Sequence, residues 1–100
     1  MPQIQHEAKI VNKYGLHARP AMKFVELANQ FGSRIEVSNG ALTVDAKSIM
    51  SVMRLAAVQG TMLKIVADGS DAKAAAAALA KLVERGFDIA EETSFPSIEP

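Results

Sequence analysis

His17 and Arg19 are the side chains of this 100-residue chain best suited to chemistry, and their surroundings narrow what that chemistry is. They sit in the segment GLHARPA, residues 15–21. A neutral imidazole is a good nucleophile toward phosphorus, and imidazoles titrate near enough to neutrality to keep a large neutral fraction. A guanidinium two residues on can pair with phosphoryl oxygens. The segment lies where an alternating stretch hands over to a helical period. A helix N-terminus offers free backbone N–H groups and a partial positive charge, both favourable to phosphate. Pro20 has no N–H to offer, so the backbone donors expected there are those of Ala18 and Arg19. A turn histidine beside a solvated arginine would give the same spacing. Spacing alone leaves both readings open.

The elements that must position these residues follow from periodicity. Residues 3–11 alternate, with Ile4, His6, Ala8 and Ile10 on one face, as in a half-buried strand. Residues 12–15 form a turn in which Gly15 can take positive φ. Residues 18–29 read as a helix with Ala21, Phe24, Val25 and Ala28 on its apolar face and Pro20 in its first turn. Residues 34–38 and 42–45 read as strands joined by an Asn39-Gly40 turn. Residues 48–55 read as a short helix capped by Ser48, with Ile49, Val52 and Met53 at helical spacing. Residues 61–68 form a strong strand. A long helix follows, capped by Ser70 or Asp71, running to about Arg85 and stopped by Gly86. The order β-α-β-β-α-β-α predicts a four-stranded sheet with its helices on one face.

Composition removes several alternatives. One domain fits in this length and two do not. There is no cysteine, so disulfides and thiolate metal sites are excluded. The start of the chain lacks the apolar core of a secretory signal, and residues 74–80 are the longest apolar run, too short to span a bilayer. A cytoplasmic protein without membrane insertion is expected. Net charge is zero, but unevenly spread. Residues 87–100 hold four acids (Asp88, Glu91, Glu92, Glu99) and no Lys or Arg, leaving eleven bases against seven acids, a net of +4, in residues 1–86. The division expected is a domain at 1–86 and an acidic tail at 87–100, packed through Phe87 and Phe95 at most. A mildly basic body suits phosphate or acidic partners. The charge is too dispersed, and the strands too poor in aromatics, for a nucleic-acid surface.

The segment GLHARPA closely resembles the active-site motif of the histidine phosphocarrier (HPr) family of the phosphoenolpyruvate-dependent sugar phosphotransferase system: Gly, hydrophobic, His, Ala or Thr, Arg, Pro, Ala. A second segment, KSIMSVM at residues 47–53, resembles the family's regulatory serine site. The resemblance covers about residues 3–85. It implies an α+β open-faced β-sandwich with a four-stranded antiparallel sheet. It implies that His17 receives phosphate on Nδ1 from enzyme I and passes it to IIA-type domains, with Arg19 steadying the phosphoryl group. Ser48 would be the target of a kinase such as HPr kinase/phosphorylase, and a transcriptional regulator could read its state. Met50 and Met53, with Lys47 and Lys23, would form part of a docking surface; for Met53, core packing is an equal alternative. Such a protein is expected to be a stoichiometric intermediate with no metal or organic cofactor of its own, and to work as a monomer. A regulatory module acting by binding alone, in a nitrogen or catabolite-control branch, is the alternative, and retention of His17 argues against it. Ser51 and Ala56 replace glycines common in the family, which bears on local detail and kinase recognition. Glu26 and Asn29 stand where enteric members are often basic, which bears on partner choice. His6 is read as a packed or edge residue and not as a second phosphosite.

Overall fold

A computed structural model describes residues 3–89. The elements are β1 (Gln3–Lys9), α1 (Ala18–Ala28), β2 (Arg34–Ser38), β3 (Thr43–Asp45), α2 (Ile49–Met53), β4 (Met62–Asp68) and α3 (Ala72–Glu84), followed by a short 3-10 turn, Gly86–Asp88. The strands form one antiparallel sheet in the order β1-β4-β2-β3. Alternation sends Ala8, Leu63, Ile65, Ala67, Ile35, Val37 and Val44 to one face, where all are buried. The three helices cover that face only, giving the expected open-faced sandwich. α3 packs on β1 and β4, and α1 packs on α2 and α3.

Phe24 of α1 meets Phe87 edge-on at 6.5 Å between ring centroids, and both are fully buried. Phe87 therefore belongs to the core, although by sequence it heads the acidic segment. Its backbone has φ 61° and Asp88 follows at φ 58°. Non-glycine residues hold that conformation only where the surroundings enforce it, at a cost of order 1–3 kcal/mol each. Burial of a phenyl ring, worth roughly 1.5–3 kcal/mol, offsets this for Phe87. Asp88 forms a bidentate pair with Arg85 at 2.8 and 2.9 Å. That hydrogen bonding holds the Asp88 carboxyl below the usual carboxylate range. Phe95 and the acids at 91, 92 and 99 lie outside the described residues.

Two local expectations change, and of the two readings of His6, packed or edge, the edge one holds: it is exposed. β1 is an edge strand, so a side chain on its inner face can reach water past the rim. The β2–β3 connection needs four residues instead of two: Asn39 Oδ1 accepts from the amides of Ala41 and Leu42, both at 2.9 Å, and only Gly40 has positive φ. Asp71 occupies the N-cap of α3 but its side chain makes no capping bond. Its carboxylate reaches the α1–β2 loop instead, accepting from the amides of Gly32 (2.9 Å) and Ser33 (3.0 Å) and from the Ser33 hydroxyl. These donors, the Ser33 hydroxyl foremost, lower the Asp71 pKa from 3.8.

Two outcomes follow for stability. Ala56 has φ +45°, in the left-handed region. That conformation strains an L-residue by roughly 1–2 kcal/mol, partly offset in glycine by chain entropy. Ala56→Gly should therefore stabilise the fold by about 0.5–1 kcal/mol and raise the thermal midpoint by a few degrees. A lowered midpoint would show that the strain is relieved by its neighbours. The Asp71 clamp should be lost in acid. A group whose folded pKa is depressed contributes stability present above its unfolded pKa and lost as pH falls through the folded value. The gap in urea midpoint between the parent protein and Asp71→Asn should be full above about pH 5, shrink as pH falls below the unfolded value of 3.8 and close only below the lowered folded one. A gap independent of pH would assign the effect to packing.

Candidate functional site

The loop before α1 is built by close backbone contact with the segment that follows α2. Leu16 N donates to Ala57 O at 2.8 Å, Ile10 N to Thr61 O at 2.9 Å and Gly60 N to Ile10 O at 2.8 Å. Gly15 has φ +67°, and a Cβ there would lie 2.5 Å from Ala57 O and 2.9 Å from Val58 Cα. Only glycine fits. Asn12 Nδ2 donates to Gly15 O at 2.8 Å, and Gly15 N donates to Asn12 O at 3.2 Å. Leu16 is buried as an anchor, and the next residue is His17.

His17 is the N-cap of α1, with extended backbone at φ −87° and ψ −167°. Its carbonyl accepts from Ala21 N at 2.9 Å, closing the first turn, while its imidazole makes no capping bond to the helix. The half-buried imidazole stands edge-on to the Tyr14 ring, 6.2 Å between centroids, and Lys13 Nζ lies 5.4 Å from the centre of that ring. Beyond His17, the amides of Ala18 and Arg19 have no acceptor within the helix. Pro20 has none to offer, and the first turn carries no acidic side chain. The positive end of α1 is thus left for an anion. Arg19 is exposed at the same turn, and Lys23, one turn on, adds positive charge felt by Asp88.

α2 lies against α1, and the chain leaving it leads directly to Ala57 and the His17 loop. Ser48 caps α2, its Oγ accepting from Ser51 N at 3.2 Å. Met50 is 77% exposed and Met53 40%; the buried position of this helix is taken by Val52. Core packing therefore does not claim Met53. Lys47 is held differently from the other site cations. Its ammonium donates to Phe31 O at 2.7 Å, and its own carbonyl accepts from Asn29 Nδ2 at 3.1 Å. It ties the end of α1 to the start of α2.

Exposed apolar side chains at Tyr14, Met22 and Val58 extend the border of the site. Sequence reasoning missed Tyr14 and Val58 as surface residues of this end, since isolated apolar residues in turns carry no periodic signal. It also missed Asn12, a buried polar residue whose only sequence signal is its place in a turn. Among the described residues, no group of three or more His, Cys, Asp or Glu is placed to hold a metal ion, and no helix is long and apolar enough to cross a membrane.

Comparison with known proteins agrees with this geometry. Residues 4–85 match the family model described as the PTS HPr component phosphorylation site. The phosphocarrier protein HPr of Xylella fastidiosa strain Temecula1 is 44% identical over 85 residues, covering 85% of this chain and 96% of the relative. The crystal structure of a phosphocarrier protein HPr from Bacillus anthracis superposes with a TM-score of 0.75 at 44% identity, covering 79% of this chain and 94% of that one. HPr-C-His from Thermoanaerobacter tengcongensis gives a TM-score of 0.79 at 42% identity, covering 91% of this chain and all of the other. With the family's fold matched and its model covering residues 4–85, the chain belongs to the HPr family of phosphocarrier proteins of the phosphotransferase system.

Proposed function

We propose that this phosphocarrier takes a phosphoryl group from enzyme I onto His17 and passes it to IIA-type domains, working as a cytoplasmic monomer. One observation carries the reading: His17 is the N-cap of α1, followed by two amides without intrahelical acceptors and by Arg19, with no acid in the first turn. A ring nitrogen of neutral His17 attacks phosphorus in line. The new N–P bond forms as the donor's bond to phosphorus breaks, and the electron pair returns to the donor. Handing on to the acceptor reverses these roles. The Ala18 and Arg19 amides and the Arg19 guanidinium receive the phosphoryl oxygens, where fixed dipoles act at no reorganisation cost. Met50, Met53 and Lys23 border the same end and suit a surface against which an acidic partner docks.

Ser48 is proposed as a regulatory phosphorylation site for a kinase of the HPr kinase/phosphorylase type. A phosphate on Oγ would keep oxygen acceptors at the start of α2 and add up to two negative charges beside the docking surface.

Labelling with enzyme I and radioactive phosphoenolpyruvate tests the reading. His17→Ala should abolish acid-labile label while circular dichroism stays unchanged; label retained through His6 would overturn the assignment. Arg19→Ala should lower the maximal transfer rate by about 10- to 100-fold with a smaller change in KM, since its charge matters most while phosphoryl charge is redistributed. Ser48→Asp should slow labelling of His17. Equal rates for Ser48→Asp and parent would leave Ser48 with its capping role alone.

A further inference from the structure

Among the described residues, Asn12 and Ser33 are the two polar residues buried with the core, at 3% and 2% exposure. Ser33 is accounted for by the Asp71 clamp at the far end of α1 from His17. Asn12 is five residues before His17, and its side-chain amide is spent on the loop that presents the histidine. Its Nδ2 holds Gly15 O at 2.8 Å while Gly15 N holds Asn12 O at 3.2 Å. These two bonds close residues 12–15 into a ring at the residue whose φ of +67° turns the chain toward His17. Both flanks of that ring are pinned. Before it, Val11 O accepts from Gln59 Nε2 at 2.9 Å; after it, Leu16 N bonds Ala57 O. Behind it stands Gly86, where an added Cβ would come within 3.7 Å of Asn12 Cβ.

We infer that Asn12 is a positioning residue for transfer at His17: its hydrogen bond to the Gly15 carbonyl fixes the entry to α1 and so the attack geometry of the imidazole. This rests on the carrier reading above. The physical argument is one of leverage. The peptide unit it holds lies two residues from the nucleophile, and in-line attack tolerates little displacement: a misplacement of about 1 Å can cost about 100-fold. A buried amide that merely filled space would be replaceable by an apolar group of the same shape. One that sets geometry would not.

The test compares initial transfer rates from phosphorylated enzyme I to the full-length parent, Asn12→Ala, Asn12→Leu and Ser33→Ala, with thermal midpoints taken for each. The Leu variant keeps the volume and lacks the donor, so it covers the case in which Ala leaves too large a void to fold. Expected are maximal rates about tenfold lower for both Asn12 variants, within the range such misplacement allows, with KM for enzyme I nearly unchanged. Ser33→Ala should lose stability yet transfer at the parent rate. A parent rate in Asn12→Leu would reduce Asn12 to packing and overturn the inference. So would a rate loss in Ser33→Ala matching that of the Asn12 variants, since transfer would then follow stability alone. No transfer to the parent protein would instead overturn the carrier reading on which this one stands.

Discussion

Gly15 and Ala57 approach so closely that neither segment can move without the other. A Cβ on Gly15 would lie 2.5 Å from the Ala57 oxygen, and the Leu16 amide donates to that same oxygen at 2.8 Å. This contact joins two stretches of chain some forty residues apart. One presents His17 and begins α1; the other has just left α2 with its exposed methionines. The nucleophile and the proposed docking surface therefore share one framework. Loops that carry function are usually mobile, and this one is held at both ends, which suits the proposed task of fixing the His17 side chain in space.

The same contact explains the strain at Ala56. The chain must turn sharply from the end of α2 to bring Ala57 against Gly15, and Ala56 takes φ +45° to do so. Its amide still finds Met53 O, at 3.2 Å, so the turn loses no hydrogen bond. The cost lies in backbone conformation alone. At the C-terminal end of the fold, Gly86, Phe87 and Asp88 all have positive φ, and there the Phe24–Phe87 contact and the Arg85–Asp88 pair supply the compensation.

Much of this was legible in the chain. The alternation of residues 34–38 and 61–68 and the helical periods around Phe24 and Leu79 depend only on which side of an element is dry. That is a local property, and the sheet with its one helical layer followed from it. The GLHARPA segment pointed to His17 and Arg19 by resemblance, and the helix start expected there is where α1 begins. What escaped were contacts between residues far apart in sequence. Asp71 reads as a helix cap, and its position is one, yet its carboxylate serves Gly32 and Ser33. His6 reads as packed or edge, and only the strand order decides for the edge. Lys47 reads as a surface charge, and only the fold brings it to the Phe31 carbonyl. Asn12 reads as a turn residue, and only burial shows that its amide is committed inward.

Pro20 completes the physical argument for a carrier. A helix N-terminus normally offers more than two amides to an anion, and many phosphate sites use several at once. Here proline removes one donor, and the Ala21 amide is already bonded to His17 O. The proposed phosphoryl cradle is left with two amides and an exposed guanidinium. An enzyme gains from holding its transition state as firmly as it can. A relay gains nothing from holding its cargo firmly, because every increment of ground-state stabilisation must be returned when the phosphoryl group moves on. A sparse cradle on an exposed helix end, bordered by apolar side chains, suits a group that two different partners must reach in turn. On the proposed reading, the sequence that leaves this helix end few donors is what fits it to transfer.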